Sequence, residues 1–210
     1  MNLKEKTSEI LKRLKKEYPE PKTALNFSDP FQLLVATILS AQTTDVLVNK
    51  VTESLFKKYR TVKDYANASP GALQKDVGSV NFYKTKAKNI QASAKIIVEN
   101  FNSKVPQTME ELVTLPGVAR KTSNIILSNA FGINEGIAVD THVKRLSFRL
   151  GLTRNEDPVK IEQDLVALTP REEWSNISHL LIFHGRKICQ AKKPKHNECV
   201  LYDICPSRNI

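Results

Sequence analysis

The chain has 210 residues, 40% of them hydrophobic, and a formal charge of +10 from 32 basic and 22 acidic side chains. That is enough apolar material for one or two compact domains. No apolar run is long enough to span a membrane, and the positive excess favours an anionic partner, nucleic acid first. With three cysteines and no targeting signal, a disulfide scaffold is disfavoured, and the expected location is the cytoplasm, on the nucleoid if the source is prokaryotic.

Apolar residues recur at helical spacing almost throughout and no stretch sustains strand alternation, so the fold class read from the sequence is all-α. Ile10, Leu11 and Leu14 mark a first helix from about Leu3 to Glu17, stopped by Pro19 and Pro21. Asp29 and Pro30 make an N-cap and first-turn pair for a largely apolar helix, Phe31 to Ser40, which belongs at the centre of the core. Thr43 or Thr44 caps the next helix, to about Tyr59. Shorter helices follow near Val62 to Ala66 and, behind Ser69, from Pro70 to Val77. A long helix from about Tyr83 to Asn100 carries Ala87, Ile90, Ala94, Ile97 and Phe101 along one face.

Thr108-Met109-Glu110-Glu111 reads as a capping box opening a short helix that ends near Thr114. The turn Leu115-Pro116-Gly117-Val118-Ala119 hands over to a helix from Arg120 to Ala130, giving a helical hairpin at about 109–131. Helices from Asp140 to Leu150, Pro158 to Ala167 and Glu172 to His184 follow, and the connections are short, as in a helical bundle. Gly117 alone is expected to supply a left-handed turn, with Ala119 in an ordinary right-handed conformation, because alanine in the left-handed region costs about 1–2 kcal/mol.

The hairpin concentrates chemistry. Lys121 stands in the first turn of its helix beside exposed N–H groups that disfavour the ammonium form, and a lysine that loses its proton near neutral pH is a nucleophile able to form a Schiff base. Asp140 follows nineteen residues later, at the natural N-cap of the helix that Gly151 ends. A carboxylate held there by backbone N–H groups stabilises a developing cation. The competing readings are a solvated surface lysine and an aspartate that only caps. His142, His179 and His184 read as structural.

Near the C-terminus, Cys189, His196, Cys199 and Cys205 are separated by six, two and five residues, and every cysteine of the chain lies in this window. Metal or cluster binding accounts for that clustering better than disulfides do. A Cys3His zinc site and a cluster with one imidazole ligand are both legal chemistry, and an unmetallated loop is the third reading. Basic residues are bunched as well. Lys84, Lys86, Lys88 and Lys95 occupy an acid-free stretch, and Arg186, Lys187, Lys192, Lys193 and Lys195 another. Two such stretches around the hairpin look like a footprint on a duplex backbone.

The run Leu115-Pro-Gly-Val-Ala-Arg-Lys-Thr-Ser123, with Leu39-Ser40-Ala41-Gln42, His184-Gly185-Arg186 and the terminal motif, resembles the endonuclease III family of helix-hairpin-helix DNA glycosylases, over nearly the whole chain. The resemblance implies a six-helix barrel at residues 23–135 and a discontinuous cluster domain, 1–22 with 136–210, DNA lying between them. It implies that Gly117, Ala119 and Arg120 grip a DNA phosphate, that Lys121 attacks C1′ and that Asp140 assists. It also implies a 4Fe-4S cluster in the loop 189–205, from which this chain departs by placing His196 where the family has a second cysteine.

Gln42 matches the family glutamine that fills the space of an extruded base, and Phe82 a loop residue that wedges the duplex; an ordinary polar loop residue and a hydrophobic staple are the respective alternatives. The implied protein is a monomer acting on damaged double-stranded DNA, without a membrane. It is a bifunctional glycosylase and abasic-site lyase for oxidised pyrimidines, cleaving 3′ to the lesion by β-elimination. A thymine or uracil mismatch glycosylase, and a non-catalytic hairpin module with a metal clasp, remain the alternatives.

Overall fold

The computed structural model describes residues 2–209. The helices are α1 (Leu3–Glu17), α2 (Pro30–Ser40), α3 (Asp45–Lys58), α4 (Val62–Asn67), α5 (Pro70–Asp76), α6 (Tyr83–Asn100), α7 (Met109–Leu112), α8 (Arg120–Phe131), α9 (Thr141–Arg149), α10 (Pro158–Leu168) and α11 (Trp174–Lys187). Three short 3₁₀ turns lie at Arg171–Glu173, His196–Glu198 and Tyr202–Ile204. No strand occurs among the described residues, so the fold is all-α as the periodicity predicts.

Side chains fix most helix starts. Asp29 accepts from Phe31 N and Gln32 N, Thr44 from Leu47 N, and Asp157 from Val159 N and Lys160 N. Asn2 with Glu5 and Thr61 with Asp64 form reciprocal capping boxes, each satisfying two donors that a helix leaves open. Two boundaries differ from the sequence reading. Helix α7 stops at Leu112 because Thr114 N and Leu115 N bond three residues back, to Glu111 O and Leu112 O, tightening the chain into 3₁₀ geometry. Helix α11 runs on through Gly185, where a Cβ would come within 3.1 Å of Arg145, His142 and Leu146. Gly185 thus permits close approach to α9 and does not end its helix.

The chain forms two compact units, Thr23–Ile133 and Met1–Lys22 with Asn134–Ile210. In the first, α2 is the central rod: Phe31, Leu33, Leu34, Val35, Ile38 and Leu39 are all buried, each worth about 1.5–3 kcal/mol. Helices α3, α6 and α8 pack against it, and α4 and α5 pack on α6. In the second, Ile10 and Leu14 of α1, Val143 and Leu146 of α9, Ile161 and Leu165 of α10, and Ile177, Leu180 and Leu181 of α11 make a separate core. No helix among the described residues is long and apolar enough to cross a membrane.

The hairpin turn is moored to α6. Ser93 Oγ donates to Pro116 O at 2.9 Å, and Gly117, at φ +81°, lies so close that an added Cβ would stand 2.8 Å from Asn89 Nδ2. Gly132 ends α8 at φ +67°, with open space where its Cβ would be. Both glycines need the left-handed region, yet only Gly117 also lacks room. Gly132→Ala is expected to cost about 1–2 kcal/mol in urea unfolding, and Gly117→Ala clearly more; equal losses would show that Asn89 gives way freely.

Candidate functional site

Helix α8 begins without a side-chain cap. Its N-cap, Ala119, is extended at φ −101°, ψ 171°. This corrects the right-handed conformation expected for Ala119, which takes the extended dihedrals typical of an N-cap although its side chain cannot cap. Gly117 is the only left-handed residue of the turn. Gly117, Ala119, Arg120 and Lys121 are all exposed on one short stretch, beside first-turn N–H groups to which the N-cap offers no oxygen, an arrangement suited to an anion.

Asp140 caps α9, its Oδ1 accepting from His142 N and Val143 N at 2.8 Å each. The adjacent His142 takes a bond at Nδ1 from Arg145 Nη2 at 3.1 Å. Arginine only donates, so Nδ1 is the unprotonated nitrogen. Burial pushes the His142 pKa down, with Asp140 opposing and Arg145 and Arg186 reinforcing.

Gln42 and Phe82 occupy two exposed turns. Gln42 has φ +54° and Phe82 φ +56°, the left-handed region in which a bulky residue is an outlier, at about 1–2 kcal/mol each. Phe82 is 64% exposed, which removes the staple reading, since a staple must be covered. Asn81 Nδ2 donates to Gln42 O at 2.6 Å. Lys84 and Lys88 are exposed on α6, but Lys86 is not. Its Nζ donates to Leu39 O, Ala41 O and Thr43 Oγ1 at 2.8, 2.6 and 3.1 Å, and burial pushes its pKa down. The basic stretch therefore contributes one fewer cation to the surface than its sequence promises.

Cys189, His196, Cys199 and Cys205 line one small cavity with Arg149, Ile188 and Tyr202. The 3₁₀ turns set the spacing: Cys199 N bonds to His196 O, and Cys205 N to Tyr202 O. His196 Nε2 is buried with no hydrogen-bond partner, a costly state for a lone imidazole nitrogen. Burial raises the Cys199 and Cys205 thiols, and Cys189 adds to both, so charge on any one sulfur is felt by the others. An unpartnered nitrogen and three mutually opposed sulfurs around one space fit a cationic metal group. Among the described residues, no three His, Cys, Asp or Glu side chains are arranged to hold a single metal ion. Lys192 and Lys193 are exposed in the same loop.

Sequence reading missed the support of this loop. Arg149 Nη1 donates to Cys189 Sγ at 3.3 Å and to Gln190 O at 2.8 Å, and Nη2 to Ala191 O at 3.0 Å. Arg145 holds Gly185 O at 2.9 Å and Cys189 O at 3.1 Å. His184, read as merely structural, has Nε2 3.3 Å from Cys199 Sγ and Nδ1 3.1 Å from Tyr18 Oη, and burial pushes its pKa down to about 4. These partners are 15 to 166 residues away in sequence, and no local motif marks them.

The profile of the HhH-GPD superfamily of base excision DNA repair proteins matches residues 35–171. Endonuclease III of Synechocystis sp. is 52% identical over 204 residues, covering 97% of this chain and 93% of that protein. Endonuclease III of Bacillus subtilis is 48% identical over 189 residues, 90% and 86% of the two chains. A solved structure of a trapped endonuclease III–DNA covalent intermediate superposes with a TM-score of 0.93 at 42% identity, covering 99% of this chain and 98% of that one. The chain therefore belongs to the endonuclease III family of the HhH-GPD superfamily.

Proposed function

We infer that the protein is a bifunctional DNA glycosylase and abasic-site lyase that removes oxidised pyrimidines from double-stranded DNA. The observation that carries this is Lys121, exposed in the first turn of the uncapped helix α8, in a chain 42% identical to an endonuclease III trapped covalently on DNA. Gly117, Ala119 and Arg120 take a backbone phosphate of the substrate, and Lys84, Lys192 and Lys193 add contacts that position without reading sequence. Gln42 and Phe82 are the side chains that enter the stack when a nucleotide is turned out.

Lys121 Nζ attacks C1′, and the C1′–N bond breaks with its electron pair leaving on the base, which takes up a proton. The nitrogen then gives up a proton and the sugar ring opens, the C1′–O4′ bond breaking with its electron pair and a proton going to O4′, which leaves a C1′ imine; the imine acidifies the C2′ hydrogen, and loss of that proton forms the C2′–C3′ double bond and expels the 3′ phosphate, cutting the strand. Asp140, its orientation fixed by two backbone bonds, stabilises the cationic sugar. Borohydride reduction on abasic DNA is expected to trap a covalent adduct with the wild-type protein and none with Lys121→Ala. An adduct that survives in the variant assigns the nucleophile elsewhere.

Family members generally carry a 4Fe-4S cluster, and Cys189, Cys199, Cys205 and His196 are the residues that would hold it here. Bound there, the cluster supplies a cationic centre for the three thiolates. Four donors around one cavity without a single-ion geometry suit a multi-iron group better than tetrahedral zinc. Replacing a thiolate by imidazole removes one negative charge, which raises the potential relative to four cysteines. Freshly purified protein should contain about four iron and four acid-labile sulfide per chain. His196→Cys should retain them and His196→Ala lose iron faster to a chelator. Stoichiometric zinc, or equal loss rates for His196→Ala and wild type, refutes the assignment.

Phe82 is largely exposed in the free protein and has no place in either core. Phe82→Ala is thus expected to leave thermal unfolding unchanged or slightly improved and to weaken binding to damaged duplex by about 1–3 kcal/mol. Intact affinity would remove Phe82 from the interface.

A further inference from the structure

Lys86 and Asn81 have no part in the chemistry just described, yet both are committed to the turn that carries Gln42. Lys86, 5% exposed, reaches from α6 to the carbonyls of Leu39 and Ala41 and the hydroxyl of Thr43. All three acceptors are neutral; what balances the ammonium is the negative end of the α2 dipole. Asn81, the residue before Phe82, donates to Gln42 O. The turn is thus gripped at residues 41, 42 and 43 by side chains that flank Phe82 on the other loop. Left-handed backbone at a non-glycine residue persists only where the surroundings over-determine it, and here the over-determination is supplied from one tip to the other.

We propose that Lys86 and Asn81 are positioning residues that lock the Gln42 and Phe82 tips into one rigid unit, so that the two side chains enter damaged duplex DNA together. The inference rests on reading those tips as the residues that open the duplex. A cation on α6 that only attracted phosphate would stand in water, as Lys84 and Lys88 do; Lys86 is turned inward instead. Loosening the lock lets each tip move alone. Extrusion of a stacked nucleotide then slows, while attack on a sugar that is already unstacked does not.

The experiment compares wild type, Asn81→Ala, Lys86→Met, Gln42→Ala and the Asn81→Ala/Gln42→Ala double variant. Extrusion is read by the fluorescence of 2-aminopurine beside an abasic site in duplex DNA. Strand cleavage is read on that duplex and on a single-stranded abasic oligonucleotide. Asn81→Ala and Lys86→Met are expected to slow extrusion and duplex cleavage by about ten- to a hundredfold, with single-strand cleavage within about twofold and the Asn81→Ala effect absent once Gln42 is alanine. Unchanged extrusion, equal losses on both substrates, or full additivity with Gln42→Ala overturns the lock. Asn81 is exposed, so its variant decides the matter even where Lys86→Met disturbs folding. Wild-type protein that extrudes but cleaves neither substrate refutes the lyase reading and leaves the fluorescence result on the lock standing.

Discussion

The ammonium of Lys86 sits on carbonyls that α2 cannot satisfy for itself, and that problem of helix ends organises the whole molecule. Each helix leaves four N–H and four C=O groups without internal partners, and in an all-helical protein nearly every functional segment is a helix end. Where the protein is built to be stiff, a side chain takes those groups: Asp29 at α2, Thr44 at α3, Thr61 at α4, Asp140 at α9. At the start of α8 the N-cap, Ala119, has no side-chain oxygen to offer. The same peptide chemistry thus anchors one end and leaves another open to an anion, and Lys121 stands at the open one.

The loop 189–205 solves a related problem with almost no apolar material. Leu201 is its one fully covered hydrophobic side chain among the described residues, and its secondary structure amounts to two 3₁₀ turns. Backbone carbonyls there need partners, and two arginines from α9 provide them at Cys189, Gln190 and Ala191. The planar guanidinium, with five donors in a fixed fork, meets several carbonyls at once where lysine could not. Arg149 also reaches the sulfur of Cys189, so one side chain both shapes the loop and touches a candidate ligand, the double duty expected around metal sites.

What was legible in the sequence follows from range. Caps and apolar spacing act within four residues, so helix starts such as Asp29, Thr44 and Asp140 are readable, as is the apolar α2 that fills one core. The extended backbone of Ala119 and the early end of α7 are local departures; the other misreadings involve distant partners. The helix read from Glu172 to His184 runs on through Gly185, and what requires a glycine there, the approach of Arg145 and His142, lies 40 residues or more upstream. Lys86 looked like part of a solvated basic face because its acceptors are some 45 residues away. His184 carried no metal-ligand spacing because it contacts a candidate ligand's sulfur without filling a place in the motif. Lys121 was legible as a candidate because both its helix position and its neighbours are local; the loop support around Cys189 was not.

Left-handed backbone separates the two kinds of turn most clearly. Asn102 and Ser103, at φ +50° and +61°, end α6 and let Ser103 N and Lys104 N find Ile97 O and Phe101 O. There the conformation is local, and asparagine tolerates it. Phe82 gains only the first bond of α6, from Lys86 N to its carbonyl, which any residue there would accept: its ring stands largely in water, its backbone is strained, and glycine in its place would relieve both costs. A fold selected for stability alone has no use for such a residue, since stabilising substitutions at sites of this kind are easy to find. The free energy lost at Phe82 must be recovered against something the isolated chain does not contain, and an aromatic face held rigid at a basic surface is matched by a base with an unstacked neighbour.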